Sequence, residues 1–430
     1  MTGRGERGRR GRTARDALVT GMGFCLPGQN APVITAEEVW DVVSTGTSCL
    51  RWVGGGYYGL TDLTANVFAA RVPGLPGFIA DNLNDTHRLG LVSLYEACAD
   101  AKLELEAGEL AQAAILVGRG GIDSNVASYL ALRDADLSSV TSAAETFVRA
   151  EIGISSSDVA LVQSAVTRST GPCFTVACGC SSASVQLGHA RELIANGTVD
   201  IAVVTGVDVL SLELVQRAQG LIRMVLGDSA SFDHMMRPYD RRGIAVNHGE
   251  GAATLVLESR EHAERRGCRS YGQVLSTAVT RSGLPHPLAS DDTGGGLASA
   301  VRTCLADRWR IEEIPYVHGG NDGGPVTVES NAIRELYGDD AGSLLMSSQE
   351  ACFGHNGAPV GALGVALTLL MMEHRQVCPT ANCEQPDPAL PFDPIPGTAT
   401  RPLDFDYGLT VSYQIGGVQS AILVGSPNAA

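Results

Sequence analysis

Phe174-Thr175-Val176-Ala177-Cys178-Gly179-Cys180-Ser181-Ser182-Ala183 joins a short buried strand to a helix, with Cys180 at the turn. Phe174, Val176 and Ala177 are apolar and suit a pleated, buried surface. Beyond them Ala183, Leu187, Ala190 and Ile194 fall at i, i+4, i+7 and i+11, one apolar helical stripe. Arg191 and Glu192 lie off that stripe, and Asn196-Gly197 supplies a C-terminal stop. Asp200 to Gly206 then reads as another buried strand. A helix N-terminus favours a thiolate, the nucleophilic form of cysteine. The glycine before Cys180 permits a tight turn and close approach to a substrate. On local sequence alone a nucleophile and a buried structural thiol stand equally open.

Composition bounds the alternatives. The chain has 430 residues, 44% hydrophobic and 18% charged, ample for a large core and one or two domains. Its 11 cysteines are odd in number and scattered, and no signal peptide is visible, so reduced thiols in a cytoplasmic protein are expected. Cys178 and Cys180 form a C-x-C pair, but no second pair with zinc-like spacing accompanies it, and no metal is expected. Gly357 to Met372 is the longest mostly apolar run; it is rich in Gly and Ala and too short for a membrane span, so it reads as a core helix. A net charge of −16 argues against nucleic acid.

Residues 1–15 carry arginines among Gly and Thr with almost no apolar content and read as a disordered basic tail. Order begins with a strand from Ala17 to Phe24, then a helix over His87 to Leu103 and a strand over Ala113 to Gly118. Gly120-Gly121 is a turn and no phosphate loop, because no helix with a lysine follows. Residues 122–172 read as helical and irregular. Arg217, Arg223, Arg237, Arg241 and Arg242 are expected to form a basic face on an acidic protein, suited to an acidic partner. Gly249-Glu250-Gly251 opens a strand over Thr254 to Glu258. Further strands are expected over Tyr271 to Val279, Tyr316-Val317, Ser343 to Met346, Leu409 to Tyr413 and Ala421 to Val424, with helices over 294–307, 329–337 and 358–373. This alternation predicts an α/β architecture.

Gly179-Cys180-Ser181-Ser182, followed by Gly188-His189-Ala190 and Gly197, resembles the nucleophile segment of the β-ketoacyl synthases, the condensing enzymes of fatty-acid and polyketide synthesis. Cys180, not Cys178, keeps that family's eight-residue step to Gly-His-Ala. The resemblance extends to the Val19-Thr20-Gly21 strand, to Pro238-Tyr239-Asp240 and to Gly249-Glu250-Gly251-Ala252. His318-Gly319-Gly320 with Glu329 eleven residues after the histidine matches the first catalytic histidine motif. Gly354-His355-Asn356-Gly357 matches the second, and Gly416-Gly417-Val418 looks most like the type II aromatic-polyketide branch, with its ketosynthase and chain-length-factor subunits. The resemblance spans residues 17–427. It implies the thiolase fold, two similar βαβαβαββ halves in a layered αβαβα core. Residues 16–262 then carry the cysteine and residues 263–430 the two histidines.

For function it implies that Cys180 takes an acyl chain from a pantetheine thioester. Loss of carbon dioxide from malonyl carrier protein builds an enolate, which attacks acyl-Cys180. Two neutral imidazoles, His318 and His355, are expected to donate hydrogen bonds to the enolate oxyanion. The amides of Cys180 and of Ile415, which stands at the family's phenylalanine gate, are expected to hold the tetrahedral oxyanion. No cofactor is implied beyond the phosphopantetheine arm of an acyl carrier protein, and a homodimer or heterodimer is expected.

The pattern is broken in several places. The family's lysine five residues before the second histidine is Glu350. The two threonines after the first histidine are Gly320 and Asp322, and acidic residues expected at two further positions are Val326 and Gly364. Glu350 and Glu329 are therefore expected to raise each other's pKa and share one proton. Three readings follow: an active ketosynthase, a silent chain-length-factor-like subunit, and an acyltransferase or hydrolase using Cys180. The retained Cys180, His318 and His355 favour the first.

Overall fold

In a computed structural model, residues 15–429 are described apart from 76, 121–129, 131–132, 135–137, 139–157, 227–231, 244–245, 287–288 and 415. Ten strands build the main sheet: β1 (Ala17–Cys25), β2 (Ala114–Arg119), β3 (Cys173–Ala177), β4 (Ile201–Asp208), β5 (Gly251–Ser259), β6 (Gly272–Arg281), β7 (Tyr316–His318), β8 (Leu345–Ser347), β9 (Tyr407–Tyr413) and β10 (Val418–Gly425). Six helices cover them: α1 (Asp85–Asp100), α2 (Asp158–Thr167), α3 (Ser182–Ala195), α4 (Gly295–Leu305), α5 (Thr327–Tyr337) and α6 (Val360–His374).

The order across the sheet is β8-β7-β9-β10-β6-β1-β5-β4-β2-β3. Its two ends repeat one plan. In β1 to β5 the strands lie in the order third, second, fourth, fifth, first, and β6 to β10 repeat that order. Pairing repeats too: β2 is parallel to β3 and β4, as β7 is to β8 and β9, and the remaining pairs within each half are antiparallel. Each half reads βαβαβαββ, and Leu18 opposite Gln273 with Val19 opposite Gly272 stitches them edge to edge. This is the thiolase-type architecture.

Helices α3 and α6 meet between the two halves, α1 and α2 cover the outer face of the first, and α4 and α5 that of the second. The sequence dictates these positions. Ala183, Leu187, Ala190 and Ile194 on α3 are buried in the central cluster. Helix α6 is buried all round from Val360 to Met372, as a helix sandwiched between two sheet faces must be. Gly23 lets α1 lie directly on β1, since a Cβ there would meet the Ala97 amide nitrogen at 2.2 Å. Among the described residues no helix is long and apolar enough to cross a membrane.

Several sequence expectations shift. Arg15, assigned to the tail, pairs with Asp200 and with Glu261 at 3.2 Å, because both carboxylates flank the start of β1. The expected arginine face is largely neutralised. Arg242 forks onto Asp240 (2.7 and 2.8 Å) and reaches Glu384 at 2.9 Å, Arg237 donates to the Asn382 carbonyl at 3.1 Å, and Arg241 donates to Gln385 at 2.7 Å. These arginines tie two segments of the chain together. The side chain of Arg223, the turn residue Gly121 and most of residues 122–172 lie outside the described residues; the exceptions there include α2.

Candidate active site

Strand β3 ends at Ala177, and one 3-10 turn, Gly179–Ser181, carries Cys180 to the head of α3. Gly179 has φ +51, which favours glycine, and a Cβ there would also displace the Gln414 amide, whose Oε1 it would meet at 2.1 Å. Ser182 fixes the turn, its hydroxyl accepting from the Cys178 N–H at 2.7 Å and donating to the Arg119 carbonyl at 2.9 Å. The thiol is thus held where unpaired helix amides and the dipole favour negative charge.

His355 arrives from the second half. Its backbone is clamped by residues 247–249: His355 N–H donates to the Asn247 carbonyl (2.8 Å), and Gly249 N–H donates to the His355 carbonyl (2.9 Å). The ring places Nε2 2.8 Å from Cys180 Sγ. On its far side Nδ1–H donates to Glu350 Oε2 at 3.1 Å. Glu350 starts a one-turn helix, Glu350–Phe353, and its side chain is 7% exposed.

The electrostatics of the two histidines diverge. Burial lowers the His318 pKa to about 4, with Gln349 opposing, so its imidazole is neutral near pH 7. Neither ring nitrogen has a hydrogen-bond partner of good geometry, and His318 lines a small cavity together with Glu350 and Asn356. For His355 burial works against the charged ring, but Cys180 and Glu350 outweigh it and hold the pKa well above the ordinary value. In the free enzyme the two imidazoles therefore differ: His355 sits between two acidic groups, and His318 does not.

The expected coupling of Glu329 and Glu350 holds in part: Glu350 adds to the rise of the Glu329 pKa, but the two carboxylates turn to different partners. Glu329, in the first turn of α5, accepts from the Gly320 N–H (2.7 Å) and the Tyr239 hydroxyl (2.7 Å), while Glu350 turns to His355. Burial, only partly offset by those two donors, pushes the Glu329 pKa up to about 7. Burial also raises that of Glu350, opposed by His355. Asp322 is close enough to raise both.

The site therefore joins Cys180, His355 and Glu350 in one bonded line. His318 and Glu350 face one cavity, and Glu329 supports the His318 loop through Gly320. Ile415 lies outside the described residues. Sequence reasoning missed three neighbours. Tyr239 anchors Glu329 from within Pro238-Tyr239-Asp240, a motif that was its signal. His248, paired along the backbone with His355, is held neutral by burial and His355, its pKa lowered to about 4. Asp208 accepts from the Gly120 and Ala358 amides, both at 2.8 Å, tying the first half to the start of α6.

Comparison with known proteins identifies the family. Residues 14–263 match the Beta-ketoacyl synthase, N-terminal domain, and residues 271–384 match the Beta-ketoacyl synthase, C-terminal domain. The tetracenomycin polyketide synthase ketoacyl synthase alpha subunit of Streptomyces glaucescens is 31% identical over 260 residues, 60% of this chain and 61% of that one. The 3-oxoacyl-[acyl-carrier-protein] synthase 2 of Vibrio harveyi is 25% identical over 428 residues, 95% of this chain and 98% of that one. Among solved structures, the ishigamide ketosynthase/chain length factor superposes with a TM-score of 0.80 at 22% identity, covering 96% of this chain and 99% of the other. A type II PKS acyl-carrier protein in complex with its ketosynthase gives 0.79 at 19%, covering 96% and 100%.

Proposed function

The chain belongs to the β-ketoacyl synthase family, of the type II polyketide kind, and from that premise we propose that it elongates acyl chains by decarboxylative Claisen condensation on Cys180. Residues 16–262 supply the nucleophile and residues 263–430 the histidines. The acyl donor and the malonyl extender arrive on the phosphopantetheine arm of an acyl carrier protein in the cytoplasm, with no resident cofactor. The complexes among the solved relatives support a carrier-protein partner and a second ketosynthase-like subunit, as homodimer or heterodimer.

The observation that carries this reading is a neutral, unpartnered His318 in the same site as the Cys180–His355 pair. The thiolate attacks the thioester carbonyl and the carrier thiol leaves, protonated by His355. When the malonyl carboxylate departs as carbon dioxide, negative charge develops on the thioester oxygen. His318 donates a hydrogen bond to it from a water-poor position, where one such donor is worth about 3 kcal/mol. The enolate carbon then attacks acyl-Cys180, and the β-ketoacyl chain leaves on the carrier protein.

Incubation with acyl carrier protein and malonyl carrier protein, followed by mass spectrometry of the carrier, tests this. Wild type yields a β-ketoacyl chain two carbons longer, and His318→Ala loses at least a hundredfold in that product. Absence of elongated product from a wild type that acylates normally contradicts the reading.

A further inference from the structure

We propose that Cys180, His355 and Glu350 form a thiol–imidazole–carboxylate relay that also passes the acyl group from Cys180 to water, releasing the free carboxylic acid. It rests on the proposed role of Cys180 as acyl acceptor. The geometry is that of a nucleophile, a base and an orienting acid in line: Sγ to Nε2 is 2.8 Å and Nδ1 to Oε2 is 3.1 Å. Such constellations are recognised by geometry and role rather than by fold. The Nδ1–H to carboxylate bond fixes the tautomer and aims Nε2 at the sulfur. A lysine in place of Glu350 presents only donors to Nδ1 and provides no such acceptor.

The steps balance. In the reactive form the thiolate faces a protonated Nε2, with Glu350 behind the ring. Sγ attacks the thioester carbon, the carbon–sulfur bond to pantetheine breaks, and the departing thiolate takes the Nε2 proton. Neutral His355 then accepts a proton from water as its oxygen attacks the acyl carbon. The tetrahedral intermediate collapses, the bond to Sγ breaks, and the thiolate and imidazolium are restored. The net change is thioester plus water to carboxylic acid plus thiol, with no oxidant or reductant.

The surrounding charge bears on which acceptor prevails. The titratable groups near the relay are Asp322, whose charge raises the pKa of both Glu350 and Glu329, and His248, held neutral by burial and by His355. An anionic malonyl group enters against these carboxylates, whereas water carries no charge to repel. Glu350 acts through His355 and is a positioning residue.

The test uses the full chain with acyl carrier protein and no malonyl partner, in water enriched in oxygen-18. Intact-protein mass follows acyl-Cys180, and the released acid is read for one heavy oxygen. Wild type is expected to turn over repeatedly, releasing labelled acid. Glu350→Gln is expected to slow discharge at least tenfold more than it slows loading and to move the pH profile of discharge. Glu350→Asp is expected to restore part of the rate. A wild-type adduct that persists until malonyl carrier protein is added and then elongates overturns the relay while leaving the condensing reading intact. Equal discharge from wild type and Glu350→Gln also overturns it, and no adduct at all overturns both.

Discussion

Glu329 shows how one buried side chain registers pH. Its folded-state pKa, about 7, lies above the ordinary carboxylate value because burial outweighs the Gly320 and Tyr239 donors. The folded state holds that proton longer than the unfolded chain does. Its stabilisation is complete below pH 4.5 and is lost as pH climbs through 7. Glu329→Gln removes the titration, so the variant is expected to gain on wild type between pH 5 and pH 8 by about 2.5 kcal/mol. Urea midpoints of the two proteins at both pH values measure the gain, and an unchanged difference contradicts the assignment. At this scale the sequence was only partly legible. Cys180, His318 and His355 stand in short motifs with fixed flanks, and the structure places them in one region. The partner of Glu350 was not legible, because a carboxylate five residues before a histidine has more than one rotamer within reach of acidic or imidazole neighbours. The Pro238-Tyr239-Asp240 motif singled out Tyr239, but its contact spans 90 residues and the motif does not name the partner.

Helix α1 carries the same physics in its first turn. Asn84 and His87 close a capping box: the His87 N–H donates to Asn84 Oδ1 and Asn84 N–H donates to His87 Nδ1, both at 3.0 Å. Burial, aided by Arg119, lowers the His87 pKa to about 3. The folded state thus refuses a proton that the unfolded chain accepts. The resulting stability is present above pH 6.5 and is lost as pH falls toward 3. His87→Gln keeps an acceptor for the cap and removes the titration. Its unfolding free energy is expected to decline less than that of wild type between pH 6.5 and pH 4.5, and a parallel decline contradicts this. The apolar repeat of α1 was readable in sequence and its capping residues were not singled out. Strand β8 was placed two residues early, because Gly338–Ser343 forms a 3-10 turn where alternation of apolar residues could not be distinguished from a strand start.

At the scale of the whole molecule, function depends on duplication. Two halves with one strand order bring the turn after β3 and the motif before α6 to the same place, since α3 and α6 pack together at the centre. That convergence was readable only through the family resemblance; composition and periodicity alone gave an α/β protein. The eroded polar shell then acquires a physical meaning. Where the resemblance implies a lysine, Glu350 joins Cys180 in raising the pKa of one histidine, while burial keeps the other neutral, giving one site an acid–base pair and a hydrogen-bond donor.

The account turns on Cys180 as the acyl-bearing group. Intact-protein mass and peptide mapping after exposure to acyl carrier protein test it most directly, with wild type and Cys180→Ala side by side. One acyl adduct on the peptide containing Cys180, absent from the variant, is the predicted result. An adduct that survives in Cys180→Ala, or that maps to Cys173 or Cys178, contradicts the account.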